Sequence, residues 1–209
     1  MFKKRCMIVM TVMVIGATAL FSGCGSKGDN AENQQTEEQA NDDQNAAYNR
    51  DTTAQGSGLI FTTQDIYGAT VTQDIFKDYD LTLVNLFATW CSPCIAEMPE
   101  LAQLQKNMEE KNVNVVAVCL DALDERGELD QEALALAQQI NEYSEADFMF
   151  LVPDETYFNG RLMGVQAVPE SFFVDSTGNI VGETYVGARD LETWTDVVEQ
   201  ELVNLSTAE

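Results

Sequence analysis

The chain has 209 residues, room for one or two domains, and is 45% hydrophobic, enough for a real core. Charge is its most lopsided feature: 11 Lys+Arg stand against 35 Asp+Glu, a net of −24. That balance argues against a nucleic-acid partner, whose binding rests on neutralising phosphates, and against a polybasic grip on anionic lipid. Histidine is absent, which removes the commonest general base and metal ligand, and with them serine–histidine hydrolases and histidine-dependent zinc enzymes. The five cysteines fall at positions 6, 24, 91, 94 and 119, and only Cys91 and Cys94 stand at a chemically meaningful mutual spacing.

The N-terminus reads as an address. Phe2-Lys3-Lys4-Arg5 is a short basic start, followed by an apolar run over residues 7–21. A confident membrane span needs about 20 residues; a charged start, a short apolar middle and small residues at its end describe a secretory signal. Its end, Leu20-Phe21-Ser22-Gly23-Cys24, resembles the bacterial lipoprotein cleavage box, with Phe21 where Leu is usual. The resemblance implies cleavage before Cys24 and a lipid on its sulfur; the alternative is an uncleaved anchor. Residues 25–57 are rich in Gly, Ser, Asn, Gln, Asp and Glu and cannot bury enough apolar surface to offset the entropy of ordering. The expected division is therefore a signal peptide at 1–23, a lipidated N-terminus and acidic tether at 24–57, and a folded domain at 58–209.

Within that domain, Leu81-Thr82-Leu83-Val84-Asn85-Leu86-Phe87 predicts a buried strand. Ile95, Met98, Leu101, Leu104 and Met108 then recur at helical spacing, and residues 113–120 form a second β-branched run. Ala133, Leu136, Ile140 and Tyr143 give another helical stripe, and residues 148–152 a short strand. A helix is expected around 155–163. Residues 171–174 and 180–186 flank Asp175-Ser176-Thr177-Gly178-Asn179, a hairpin turn. Leu191, Trp194, Val198 and Leu202 close the chain with an amphipathic helix, with Asp190 as its N-cap. Strands alternating with helices predict a layered α/β domain with a mixed sheet.

Trp90-Cys91-Ser92-Pro93-Cys94 follows the first buried strand and opens a helix. A thiolate there meets unpaired backbone N–H groups and the positive end of the helix dipole. Cys94 lies one turn further along the same face, placed to attack a mixed disulfide held on Cys91. Pro93 suits the first turn, where a missing N–H costs nothing. The competing reading, half a zinc site, needs two further Cys or His ligands. Cys119, between Val118 and Leu120, reads as a core thiol.

At these residues the chain resembles the thioredoxin superfamily and, more closely, the TlpA/ResA-type membrane-anchored thiol-disulfide oxidoreductases, over residues 59–205. The resemblance is carried by Phe87-Ala88-Thr89-Trp90-Cys91-Ser92-Pro93-Cys94, by Glu97-Met98-Pro99-Glu100-Leu101, and by Val168-Pro169. It implies a thioredoxin-like α/β fold: a mixed central sheet flanked by helices, with an N-terminal extension and a helix–strand insertion at 121–153. It also implies a redox-active Cys91–Cys94 disulfide and a cis bond before Pro169. Trp90, Val168 and Pro169 would contact substrate, Val168 through its backbone; Glu97 would move protons to or from Cys94, the alternative being an ordinary surface glutamate. No cofactor or metal is implied. Partners would be disulfide-containing exported proteins, such as apocytochrome c or an extracellular methionine sulfoxide reductase, and a membrane thiol donor of the CcdA/DsbD type. Asn85 departs from thioredoxins, which place an ionisable aspartate there, and Glu170 stands where Thr is common.

No Lys, Arg or His lies between Lys77 and Lys106, whereas Glu97, Glu100 and Glu170 are expected near the cysteines. Negative neighbours oppose the thiolate and favour a reducing couple, so a reductase is expected, with a disulfide-forming oxidase and a non-enzymatic binding lipoprotein as alternatives. The N-terminal reading has a direct check. Mass spectrometry of protein from native membranes is expected to find a lipid-modified Cys24 as the first residue; a soluble, unmodified N-terminus elsewhere would refute it.

Overall fold

The computed structural model describes residues 58–208; Cys6, the signal, Cys24 and the tether fall outside the described residues. Seven strands and three α-helices follow one another: β1 (Thr62–Gln64), β2 (Thr70–Thr72), β3 (Leu81–Phe87), α1 (Ser92–Met108), β4 (Val113–Cys119), α2 (Gln131–Ser144), β5 (Met149–Leu151), β6 (Glu170–Asp175), β7 (Ile180–Val186) and α3 (Leu191–Ala208). β1 and β2 pair as a separate two-stranded ribbon, and the other five form one sheet in the order β5-β4-β3-β6-β7. β3 runs parallel to β4, and β4 to β5, while β6 runs antiparallel to both its neighbours, β3 and β7. This is the mixed sheet and the helix–strand insertion that the sequence implied.

The period-2 alternation of strands sorts the sheet's side chains into two cores. Leu81, Leu83 and Phe87 of β3 join Val115, Ala117, Phe173 and the buried faces of α1, α2 and α3. Val84 and Leu86 join Val116, Val118, Phe172 and Val174 on the other face, beneath Leu59, Phe61, Phe76, Phe158 and Leu162. Helices cover the first face; the N-terminal extension and the segment around Phe158 cover the second. Asn85, between Leu83 and Phe87 in register, therefore points toward the helices.

Two expectations are corrected. The helix expected around 155–163 is a chain of turns, with Tyr157, Phe158 and Asn159 at φ of 53°, 54° and 55° and Gly160 at 86°. The Asp154 carboxylate accepts the Phe158 N–H at 2.7 Å, and Asn159-Gly160 readily takes the left-handed conformation. The turn lets Phe158 stack on Phe61, ring centroids 4.3 Å apart, contact that a right-handed helix would forgo. The stripe on α2 is also rotated. Ala133, Ala137, Ile140 and Ser144 are buried, whereas Leu136 and Tyr143 face solvent; small residues allow close approach to α1, and position outweighs size. Asp190 does cap α3, its Oδ1 accepting the Thr193 N–H at 2.9 Å.

A bulge in β7 supplies one sharp constraint. Opposite Ser171 and Phe173 the register shifts, and Gly182 takes φ of 65° beside the buried carboxylate of Glu201, which accepts from the Tyr185 hydroxyl at 2.6 Å and the Glu183 N–H at 3.3 Å. A Cβ on Gly182 would collide with that carboxylate. Gly182→Ala is expected to cost roughly 1–3 kcal/mol by strain and overpacking, read from urea unfolding; an unchanged midpoint would show that Glu201 moves freely.

Candidate active site

β3 ends in the core at Phe87, and the loop that follows is tied down from the neighbouring strand. Asp121, just past β4, accepts the Thr89 N–H at 3.0 and 3.1 Å and the Thr89 hydroxyl at 2.6 Å. The tie delivers Cys91 to the N-cap of α1 with an extended backbone, φ −86° and ψ 97°. Cys91 and Cys94 form a disulfide, Cα atoms 5.3 Å apart, and the Cys94 N–H donates to Cys91 Sγ at 3.2 Å. That N–H is one of the orphan donors of a helix start, aimed at the sulfur where negative charge would develop on reduction.

Cys91 Sγ lies 3.7 Å from the Val168 carbonyl oxygen, and the Val168-Pro169 bond is cis. Trp90 is 74% exposed beside it, Cys91 4% and Cys94 not at all. Access bears on roles in thiol exchange, and of the two sulfur-bearing residues only Cys91 keeps any exposed area. Of the residues expected to contact substrate, Val168 lies against Cys91 through its carbonyl, Pro169 follows it across the cis bond, and Trp90 is exposed.

Glu97 is no surface residue. It is 2% exposed, and its carboxylate receives donors from three parts of the chain. Oε1 accepts the Arg189 N–H and the Trp194 indole N–H, each at 2.8 Å, and Oε2 accepts the Asn85 amide at 3.3 Å. Burial pushes its pKa above the ordinary carboxylate range, against those hydrogen bonds and the Arg189 charge. Asn85 also donates to Ser171 Oγ at 3.0 Å, while its own buried carbonyl oxygen has no partner. A half-turn of that amide, whose two ends are nearly isosteric, offers the acceptor that a protonated Glu97 requires. The arrangement serves a carboxyl group in either protonation state.

A model of the AhpC/TSA family matches residues 59–182. The chain belongs to that family. Within it, the chain is similar to the thiol-disulfide oxidoreductase ResA of Oceanobacillus iheyensis, 36% identical over 101 residues, 47% of this chain and 45% of the relative. It is also 30% identical over 126 residues to the thiol-disulfide oxidoreductase ResA of Bacillus thuringiensis subsp. konkukian, covering 59% of this chain and 64% of that one. The chain therefore spans about half to just under two thirds of the length of these relatives. Among solved structures, the fold matches a thiol:disulfide interchange protein of the thioredoxin family from Chlorobium tepidum, with a TM-score of 0.56, 24% identity, and coverage of 69% of this chain and 94% of that one. The thioredoxin-like fold and the likeness to TlpA/ResA-type proteins are met.

In this AhpC/TSA member, tertiary contacts rewrite the charge picture. Glu170 sits on the sheet face opposite Glu97, 3% exposed, in an ion pair with Arg161 at 3.0 Å. Glu100 accepts the Leu191 N–H at the start of α3, at 3.1 Å. Arg189, distant in sequence, lies 5.2 Å from the ring centroids of both Tyr185 and Trp194 and acts on Glu97 by its charge. The purely acidic surroundings expected from the sequence are thus corrected: two of the three carboxylates have other partners, and a cation is present.

Cys119 is buried, donates to Asp121 at 3.3 Å, and has its pKa raised by burial and by that carboxylate; it is the core thiol the sequence suggested. The two sulfurs of Cys91 and Cys94 are bonded to each other, and among the described residues no cluster of metal-ligating side chains gathers. Sequence reasoning missed Asp121, Arg189 and Trp194 as site residues. Trp194 carried a signal, since an indole N–H on a buried stripe needs an acceptor; Arg189 carried none, because it lies 92 positions from Glu97 and reaches it partly through a backbone N–H.

The raised pKa of Glu97 has a consequence for stability. The folded state binds this proton more tightly than the unfolded chain, so stability falls as pH rises from the ordinary carboxylate range through the raised pKa. Unfolding of the disulfide form in urea across that window is expected to show a shallower decline for Glu97→Gln than for wild type. Identical pH slopes would mean that Glu97 titrates as an exposed carboxylate.

Proposed function

We propose that the protein is an extracytoplasmic thiol-disulfide oxidoreductase, held at the membrane by lipid on Cys24, that reduces disulfides in exported proteins. The observation that carries the reading is the Cys91–Cys94 disulfide at the N-terminus of α1, its Cys91 sulfur 3.7 Å from the Val168 carbonyl oxygen and next to the exposed Trp90. The names of the ResA relatives support the activity. Among the described residues no helix is long and apolar enough to cross a membrane, and the signal and lipid box of the N-terminus support the location.

The reaction balances as follows. A thiol donor, of the CcdA/DsbD type in this reading, supplies two electrons and two protons and opens the disulfide. The Cys91 thiolate, favoured by the Cys94 N–H and the helix dipole, attacks one sulfur of a substrate disulfide and expels the other as a thiolate. Cys94 then gives up its proton and attacks Cys91 Sγ; the second substrate sulfur leaves, and the Cys91–Cys94 disulfide is restored. Cys94 is fully buried, and water reaches it poorly. Glu97, three residues on along the same helical face and buried with a raised pKa, takes that proton.

A second reading, a disulfide-forming oxidase, is favoured by one observation: the Arg189 cation beside Glu97. Equilibrium with glutathione separates the two. A reductase is expected near thioredoxin's potential, about −270 mV, and an oxidase near that of DsbA, about −120 mV. Cys91→Ser is expected to abolish exchange, and Cys94→Ala to accumulate mixed disulfides that identify substrates from cells. Glu97→Gln is expected to slow exchange about 10²-fold, the low end for a lost acid–base group, and to flatten the rate against pH. A Glu97→Gln rate and pH profile like wild type, with Cys91→Ser inactive, would assign the proton to water.

A further inference from the structure

The sheet face opposite Glu97 carries a second buried charge cluster that thiol exchange does not use. Arg161 leaves the left-handed turn at 157–160 and points inward. Its Nη1 donates to Glu170 Oε1 at 3.0 Å, with side-chain exposures of 11% and 4%. The guanidinium carbon lies 3.9 Å from the Phe172 ring centroid, and Nη2 reaches Thr184 Oγ1 on β7 at 3.4 Å. A planar guanidinium stacked on a ring, with one arm on a carboxylate and the other on a hydroxyl, is held in orientation as well as in place.

Glu170 is the residue directly after Pro169, so the pair closes a loop of nine residues' separation that carries Val168 and Pro169. The loop's far side is held too, since the Pro169 carbonyl accepts the Gly187 N–H at 2.9 Å. The Val168 carbonyl oxygen lies 3.7 Å from the reacting sulfur, across from α1. Any polypeptide joined to Cys91 by a mixed disulfide must run beside it, whereas a small disulfide need not. Buried ion pairs are weak sources of net stability, which points to geometry as the role of this one.

We propose that Arg161 and Glu170 are a positioning pair that fixes the Val168–Pro169 main chain against Cys91 and so sets how well an extended polypeptide disulfide is engaged relative to a small one. The inference rests on the thiol-exchange reading of the cysteine pair and deepens it to a preference for polypeptide substrates.

The test compares reduction of insulin with reduction of 5,5′-dithiobis(2-nitrobenzoate) by the dithiothreitol-reduced protein. Arg161→Met alone strands a buried carboxylate and threatens the fold, so Arg161→Met/Glu170→Met, which removes both charges and keeps side-chain volume, is the decisive variant. Its ratio of insulin to small-disulfide kcat/KM is expected to fall about tenfold, mainly through KM, the scale of one main-chain hydrogen bond. Hydrogen exchange at residues 164–170 is expected to rise while α1 stays protected. Glu170→Gln, which keeps an acceptor for Arg161, is expected to restore most of the ratio. A ratio within about twofold of wild type in the double variant would overturn the proposal; so would a double variant that no longer folds, which makes the pair a general stability element. Insulin reduction by Cys91→Ser would instead remove the thiol-exchange reading itself, whatever the pair does.

Discussion

A carboxylate placed in the core beneath a helix N-terminus must be compensated, and much of this molecule is arranged around that requirement. Removing an ion from water costs several kcal/mol, and charge-assisted hydrogen bonds return roughly 1.5–3 kcal/mol each. Glu97 has three, from Asn85 on β3, from the Arg189 backbone and from the Trp194 indole on α3. Those donors fix where α3 crosses α1 and how the chain leaves β7. Burial still prevails over them, since the pKa remains raised. Buried with a raised pKa and three residues along α1 from the enclosed Cys94, Glu97 is the titratable group that the proposed proton transfer calls on.

The sheet separates two buried charge networks that a linear view of the charges merges. Asn85 and Ser171 point to the helical face, where they meet Glu97. Glu170, one residue before Ser171, points the other way and meets Arg161. The hydrogen bonds of Glu97 and the ion pair of Glu170, next to Pro169, thus lie on opposite sides of one strand. The sheet backbone joins them at β6, while the cysteine pair sits at the end of β3, where both networks converge.

The irregular segment around Phe158 shows how local preference and tertiary demand combine. Phe158 takes a left-handed conformation that bulky side chains rarely adopt, and the surrounding contacts must offset that strain. The Phe61 stack, the Asp154 cap and the inward reach of Arg161 all depend on it. A regular helix over these residues would present Arg161 and Phe158 in other directions and leave the second face of the sheet uncovered.

The sequence alone determined the layered α/β architecture, the strand at Leu81–Phe87, the helix opened by the cysteine pair and the hairpin before the last helix. These were legible because alternation, helical spacing, capping and turn chemistry are local, and because a Cys-Ser-Pro-Cys segment after a buried strand has few other uses. The depth of Glu97, its indole and backbone donors, and the pairing of Glu170 with Arg161 were decided only by tertiary structure. Residues nine to ninety-seven positions apart supply those contacts, and which face of a strand or helix an acidic side chain occupies depends on what packs there. Electrostatics read along the chain therefore missed Arg189 and the charge balance around Glu97, because burial and pairing are properties of the fold rather than of neighbours in sequence.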